Sequence, residues 1–482
     1  MKKKIDLPDV TPVHLPSVGP VRPGIYVLAG ITLVILVIVF LIGFLPGILH
    51  GGRTVTFKSG LDNTGVVVDG TYISGTPSQK FIDSGDHHVQ FIKAGVIINE
   101  QNIHVDHPVF LTWLKFRYQD VSMTTPSLTD EQMNTIRNYD VQLIIDQSAI
   151  LDFDRVHNYI PYFMSYAKDA VALSFTADHI AEDMKIACSF ITTTEMYQDA
   201  QAAFDYLGLE PNSFYEKART LFGETADKST TLGSSLTQTQ SPSLAADPLQ
   251  LGDETIEGTK VSAHSFMMGT TVKTSYPAMN TLSYQAEIPS FSLATLPVSE
   301  YQYSLFVAAN PQWDKANKQT LIENNKVSEN YLAGITLSTT LINNTPIRNI
   351  SYQAAIAFTT WASTVSGKHV FLPTEEMWEE AASLTSSSYA SSLVNLDNSS
   401  APFKMMMGGV WEMTSTPYIP LVRMDAQHKA ALESLISARG FTLDHIVKGG
   451  SILNEDAVTA KDIGAISPID LNDYIGFRLA WD

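Results

Sequence analysis

Cysteine is nearly absent from this chain, which has one, Cys188, among 482 residues. A single cysteine excludes any disulfide bond within the chain. Secreted animal proteins of this size usually contain disulfides, whereas bacterial envelope proteins often do without them. The surrounding sequence EDMKIACSFI is typical of a helix, so we predict that Cys188 is a small packed residue and not a reactive thiol.

Basic residues are also scarce. The chain has 31 lysines and arginines against 50 aspartates and glutamates, which gives a formal net charge of −19. A surface this acidic repels phosphate backbones and anionic lipid surfaces. The composition therefore excludes nucleic acid as an expected partner.

Residues 24–49 contain no charged side chain. Their run IYVLAGITLVILVIVFLIGFL is as long as the roughly 20 apolar residues that a helix needs to cross a bilayer. We predict a single transmembrane helix at residues 24–49, ending near Pro46 and Gly47. The alternative is a cleaved signal peptide, but its apolar segment would be shorter and would be followed by small residues at a cleavage site.

The charges beside this span predict its orientation, because lysine and arginine are retained on the cytoplasmic side. Three N-terminal lysines and Arg22 precede the span, while only Arg53 and Lys58 follow it closely. Residues 1–23 hold five prolines and are predicted to be an extended cytoplasmic tail. We expect a single-pass protein of the bacterial inner membrane, with most of the chain on the periplasmic side.

Residues 54–110 have short β-branched runs separated by turn residues, and Asp69-Gly70 is a hairpin signal. The segment resembles the PEGA domain, a small β-sandwich spacer of bacterial cell surfaces. The resemblance is carried by Val68, Asp69, Gly70, Gly75, Thr76, Pro77, Gly85, His88, Val89 and Gly95. It implies no catalysis.

Residues 111–225 change to apolar residues at three- and four-residue spacing, which predicts an α-helical domain. Ser127 and Asp130 indicate the start of its first helix. Residues 226–256 are rich in Ser, Thr, Gln, Asp and Gly, so they cannot bury enough apolar surface to offset their ordering entropy. We predict a flexible linker there.

The last part of the chain contains four short motifs in order: GKHVFLPTEEMWEEAA, GGVWEMTSTPY, VKGGS and IGFRLAWD. They resemble those of the formylglycine-generating enzyme, or sulfatase-modifying factor, family. VSEYQYSLFVAA and NISYQAAIAFTTWAS upstream are similar to two further family motifs. The resemblance covers residues 257–482 and implies an α+β domain of the C-type-lectin-like kind. Together with the predicted transmembrane helix, β domain and helical domain before it, this domain makes the predicted fold class multidomain.

The metal ligands of the family's oxidases are missing. Those members hold copper with two cysteines shortly after the RGGS motif, and thiolates select Cu(I). Here the two positions fall on or near Asn454 and Thr459. A second branch holds iron with helical histidines, a pattern that the histidines near residues 87 and 104 do not give, since they lie in strand-like sequence. We therefore assign no catalytic residue.

Two candidate sites remain in the C-terminal domain. The first is a binding crevice, for which the candidate residues are Trp411, Ser451, Asn454, Glu455 and Arg478. Arg478 is also expected to be buried beside a carboxylate that the sequence does not identify. The second is Glu412, because family members often hold a structural calcium beside this motif. The alternative for Glu412 is a structural hydrogen bond, and no other cofactor is expected.

These observations predict a membrane-anchored envelope protein whose C-terminal domain is catalytically degenerate and binds or scaffolds an envelope protein or glycan. The alternative is an oxidase or protein-modifying enzyme with a non-standard metal site. A third possibility is a structural tether formed by the β and helical parts.

In LPTEEMWEEAA, Thr374 is predicted to cap a helix whose first turn holds Glu375 and Glu376. Trp361, Trp378 and Trp411 are predicted to pack the core of the domain.

Overall fold

The computed structural model describes residues 16–17, 19–112, 117–124, 126, 128–153, 158–223, 241–269, 284–385, 389–394, 400–424, 426–454 and 458–482. The chain divides into two compact units, Met1–Ile136 and Arg137–Asp482. Most of the N-terminal tail and residues 226–240 of the predicted linker lie outside the described residues.

The first unit begins with helix α1 (Pro23–Gly43), followed by the short helix α2 (Leu45–Leu49). Within the described residues, α1 alone is long and apolar enough to cross a membrane, and it can serve as an anchor or as a signal sequence. It ends three residues before the predicted stop at Pro46. That proline instead lies in the first turn of α2, where its missing N–H is not needed.

The rest of the first unit is a β module of two sheets. Its strands are β1 (Gly52–Lys58), β2 (Gly65–Val68), β3 (Thr71–Gly75), β4 (Ser78–Asp83), β5 (Gly85–Lys93), β6 (Val96–Val105) and β7 (Tyr118–Ser122). Their order is β3-β2-β5-β6 in one sheet and β4-β1-β7 in the other. The predicted turn between β2 and β3 is confirmed, since Asp69 and Gly70 both have positive φ angles.

The β module is longer than the predicted segment 54–110. Strand β7 pairs in parallel with β1 and completes the second sheet. Its sequence YQDVS buries only Val121, so it lacks the apolar alternation that marks a strand in sequence. The helical segment accordingly begins at Asp130 and not at residue 111.

The helical segment contains α3 (Asp130–Phe153), α4 (Tyr162–Ala172), α5 (Ala177–Cys188), α6 (Thr194–Leu207) and α7 (Ser213–Phe222). The side chains of Thr176, Thr193 and Asn212 cap the last three helices. Cys188 ends α5 and is fully buried, as predicted. From Arg137 onward these helices belong to one compact unit with the C-terminal domain, and not to a domain of their own.

The helices of the C-terminal domain are α8 (Glu300–Ala309), α9 (Lys318–Glu323), α10 (Tyr352–Ser366), α11 (Glu375–Ser383) and α12 (Ala426–Arg439). Its strands are β8 (Leu244–Ala246), β9 (Leu249–Leu251), β10 (Glu254–Ile256), β11 (Gly258–Val261), β12 (His264–Met268), β13 (Tyr284–Ile288), β14 (Phe291–Ala294), β15 (Val370–Phe371), β16 (Trp411–Pro417), β17 (His445–Lys448), β18 (Gly464–Ile466), β19 (Ile475–Phe477) and β20 (Ala480–Trp481).

Two sheets organise this domain, with orders β15-β20-β14-β11-β8 and β18-β17-β16-β19. The core between the elements is aromatic, as predicted: Trp378 is fully buried, Trp411 is 7% exposed, and Trp361 packs at the edge of the cluster. Gly258 lets β11 approach the ring of Trp481, since a Cβ there would lie 2.2 Å from a ring carbon.

The predicted linker is shorter than residues 226–256, because its last part forms β8, β9 and β10. Leu249, Leu251 and Ile256 are at least 95% buried in the core of the C-terminal domain. The hairpin of β9 and β10 turns at Gly252, whose φ is +64°. Short strands of three residues, set in polar sequence, explain why composition alone suggested a linker.

Candidate functional site

Arg478 and Glu412 form a buried ion pair at the centre of the C-terminal domain. The Nε and Nη2 atoms of Arg478 donate to the two carboxylate oxygens of Glu412 at 2.9 and 2.7 Å. The indole N–H of Trp378 donates to the same carboxylate at 2.8 Å. Arg478 and Glu412 are both fully buried. Arg478 is therefore buried beside a carboxylate, as the sequence predicts, and this carboxylate is Glu412.

These contacts decide what Glu412 can bind. Calcium takes six or more oxygen ligands, and a neighbouring cation repels it. Both oxygens of Glu412 accept hydrogen bonds from a guanidinium or an indole. The residues around Glu412 therefore do not fit a calcium ion.

Three of the predicted crevice residues are connected by hydrogen bonds at the turn that ends at Asn454. The side-chain oxygen of Asn454 accepts hydrogen bonds from the indole of Trp411 at 3.0 Å and from the backbone N–H of Ser451 at 2.9 Å. The Ser451 hydroxyl donates to the same oxygen at 3.0 Å. Trp411 and Ser451 are 7% and 2% exposed, so they present little surface to a ligand. Glu455 lies outside the described residues.

Neither position of the expected cysteine pair offers a copper ligand. Asn454 closes the turn just described, and Thr459 donates from its N–H and its hydroxyl to Asp462 at 2.7 and 2.9 Å. Cys188 lies in α5 and is fully buried, and this burial raises the pKa of its thiol to about 12. The residues present do not fit Cu(I) bound by thiolates.

A second buried charge cluster connects α11 to the strand before the GGS motif. Lys448 donates to Glu379 at 3.0 Å and lies 3.6 Å from Glu375. Lys461 and the N–H of Gly269 also donate to Glu379. Burial acts to raise the pKa of Glu379, but Lys448 and Lys461 outweigh it and hold that pKa below its usual value. This cluster was not predicted from the sequence, although Lys448 occupies the position of the arginine in the family's RGGS motif.

A cleft of about 700 Å³ opens elsewhere on the C-terminal domain. Its lining includes Glu433, Ile436 and Ser437 on one face of α12, together with Phe441 and His445. None of the predicted site residues lines it. The volume lies in the usual range of ligand pockets. Much of the lining comes from the segment between the second and third motifs, for which the sequence made no prediction.

His445 is uncharged at neutral pH, because burial lowers its pKa to about 4. Its ring stacks on Tyr352 with the ring centroids 3.6 Å apart, and its Nδ1 atom has no hydrogen-bond partner among the described residues.

Negative charge gathers beside this cleft. Asp444 lies between two lining residues, and its pKa is raised to about 6 by burial and then by the charges of Asp146 and Asp470. Burial also raises the pKa of Glu433. Within the described residues, no three His, Cys, Asp or Glu side chains are grouped to hold a metal ion.

Residues 253–404 match a family described as "Sulfatase-modifying factor enzyme 1-like domain", so the chain carries this domain in its C-terminal part. A relative from Borreliella burgdorferi, named "Uncharacterized protein", is 20% identical over 401 residues, covering 76% of this chain and 78% of its own. Two solved structures align with 49% of the chain and 98% of their own length. They are PvdO from Pseudomonas aeruginosa (13% identity, TM-score 0.36) and Treponema denticola variable protein 1 (14%, 0.32).

Proposed function

We propose that this chain, which carries a sulfatase-modifying-factor-like domain behind an apolar helix, is a single-pass protein of the bacterial inner membrane. Its C-terminal domain is catalytically degenerate and binds or scaffolds a protein or glycan of the envelope. One observation carries the proposal: the positions that hold copper in the family's oxidases fall on or near Asn454 and Thr459, and both of these side chains are engaged in loop hydrogen bonds.

The N-terminal part supports an anchoring role. The 21 residues of α1 give a helix of about 31 Å, which matches the hydrocarbon thickness of a bilayer. The β module after it buries an alternating core of β-branched and aromatic residues such as Val55, Phe57 and Phe91. We propose that it is a PEGA-like spacer that separates the membrane from the C-terminal domain.

The binding role needs an accessible surface, and the turn around Asn454 offers little. The cleft beside α12 supplies one, since it combines apolar walls with a few polar groups. The proposed module therefore keeps the core of the family fold and binds through the cleft beside α12.

Copper loading of the full-length protein in detergent tests the proposal. We expect less than stoichiometric bound copper after Cu(I) treatment and desalting, and no oxygen uptake with a cysteine-containing peptide, because no thiolate pair is present. A cysteine-bearing oxidase of the family serves as the positive control. Copper-dependent oxidation of the peptide by this protein would overturn the proposal and favour a displaced metal site.

A further inference from the structure

The walls of the cleft define what it can hold. Glu433, Ile436 and Ser437 have helical spacing and present one face of α12. The remaining walls come from the end of β16 with the residues after it, from residues 441–443 and His445, from the loop that contains Pro468, and from Asn325 and Gln353. Their apolar and hydroxyl groups suit a short apolar stem with a polar end. The volume of about 700 Å³ leaves room for more than a single small ion.

The charge of the lining has one sign. Among the described residues that line the cleft, Glu433 is the single carboxylate, and there is no lysine or arginine. His445 adds no positive charge at neutral pH. Asp444 and Asp470 adjoin lining residues in sequence and add negative charge at one end.

Glu433 is poorly compensated within the protein. Its nearest cation is Lys429, whose Nζ atom lies 4.0 Å from Oε1 of Glu433 but only 2.9 Å from Glu376. Although burial acts to raise the pKa of Glu376, Lys429 outweighs it and lowers that pKa to about 2, so Glu376 is the true partner of this lysine. The carboxylate of Glu433 is thus half-buried at the cleft, and its ion pair with Lys429 is longer than the one that Lys429 makes with Glu376.

We propose that the cleft binds an organic cation, an ammonium or guanidinium group on a short apolar stem, with Glu433 as its counter-charge. The cation would contact the Glu433 carboxylate from the cleft, while the partly exposed Phe441 and Leu443 contact the stem. This assignment rests on the binding role proposed above and specifies its ligand class. The group can come from a free amine or from a lysine or arginine side chain of a partner protein.

Calorimetric titration of the full-length protein in detergent tests the assignment. The probes are cadaverine and agmatine as free amines, a short peptide with one lysine, and the same peptide with the lysine acetylated. We expect the cationic probes to bind and the acetylated peptide not to bind. Binding of the lysine peptide alone would identify a protein partner as the source, whereas equal binding of the free amines would identify a small solute.

Two variants test the proposed counter-charge: one removes the carboxylate of Glu433, and the other places a competing cation beside it. Glu433→Gln should weaken cation binding by about tenfold or more, because a charge-assisted contact is lost. Ser437→Lys places a tethered cation on the same helix face and should also abolish binding; Ser437 is exposed, so this variant is expected to fold. Glu210→Gln, at an exposed carboxylate far along the chain, is the matched control and should bind like the wild type.

Equal affinity of the wild type and Glu433→Gln, or preference for the acetylated peptide or for a neutral oligosaccharide, would overturn the assignment. Such a result with negative copper assays would leave the non-catalytic role standing. Copper-dependent oxidation by the wild type would instead overturn that role, whatever the titrations show.

Discussion

At the scale of single residues, the pair of Glu412 and Arg478 holds the centre of the C-terminal domain. A guanidinium removed from water needs a carboxylate and further acceptors, and Arg478 has both: it also donates to the carbonyls of Ala294 and Thr295 at 2.9 and 2.7 Å. All these groups are buried, so the pair connects β16 to the end of β14 inside the core of the domain. Loss of either partner would leave an uncompensated charge.

We therefore expect Glu412→Gln to destabilise the C-terminal unit by about 3–5 kcal/mol. The midpoint of urea unfolding, followed by tryptophan fluorescence of the full-length protein in detergent, measures the change. Glu210→Gln should stay within about 0.5 kcal/mol of the wild type. A Glu412→Gln variant as stable as this control would show that the pair contributes little.

The sequence predicts that Arg478 pairs with a carboxylate, but it does not predict which carboxylate lies beside it. Arg478 was predicted to be buried beside an unidentified carboxylate, and Glu412 was considered for calcium instead. The two residues are 66 positions apart, and they meet because β16 and β19 pair in parallel, with Glu412 opposite Gly476. Motif order does not reveal which strands are neighbours. The hydrogen bond between Trp411 and Asn454 was foreseen only as proximity within one crevice.

Asp444 gives a prediction about pH. Its pKa is raised to about 6 by burial and by Asp146 and Asp470, so the folded state binds this proton more tightly than the unfolded state. The charged carboxylate therefore lowers stability above pH 6, and this cost disappears as the pH falls toward 4. Asp444→Asn should stabilise the protein at pH 7.5 by roughly 1–3 kcal/mol.

Melting temperatures of the wild type and Asp444→Asn at pH 7.5 and 4.5 check this expectation. The difference between the two proteins should be largest at pH 7.5 and should shrink at pH 4.5. An equal gain at both pH values would mean that the substitution acts through packing and not through the charge.

At the scale of elements, α11 shows what local sequence can predict. Thr374 caps the helix by accepting from the N–H of Met377, and Glu375 and Glu376 occupy the first turn, as predicted. These features depend only on neighbouring residues. The partners of the helix were not predictable in this way: Lys448 and Lys429 come from β17 and α12, more than 50 residues later.

The cap has a measurable energy. Thr374→Ala should destabilise the C-terminal unit by roughly 0.5–2 kcal/mol, because an N–H at the start of α11 loses its acceptor. Thr374→Ser keeps a hydroxyl at the same position and should lose much less. Urea unfolding of the two variants measures the difference, and equal losses would assign the effect to the missing methyl group.

At the scale of the whole molecule, the sequence predicts the order of the parts but not all of their boundaries. The apolar helix, the β segment, the helices and the matched domain follow in the expected order. Strand β7 and strands β8 to β10 were missed because each is only three to five residues long, and most of the sequence around them is polar. Strand β7 forms by pairing with the distant β1, which composition does not show.

The lone cysteine makes the proposed topology testable. Because Cys188 is fully buried, the wild-type protein should not react with a membrane-impermeant maleimide. Ser17→Cys and Asp253→Cys each place a cysteine at an exposed position, the first before α1 and the second after it. Labelling of each variant therefore reports on one side of the membrane. In bacterial spheroplasts we expect Asp253→Cys to be labelled and Ser17→Cys to be labelled only after lysis. The reverse pattern would contradict a cytoplasmic N-terminus.

The place of β20 in its sheet has a consequence for biosynthesis. Residues Ala480 and Trp481 pair with β14 on one side and with β15 on the other, although they follow every other strand of that sheet in sequence. The sheet cannot close until these residues have been synthesised, after all of its other strands. Until then β14 and β15 each keep an unpaired edge, which chaperones and proteases can bind.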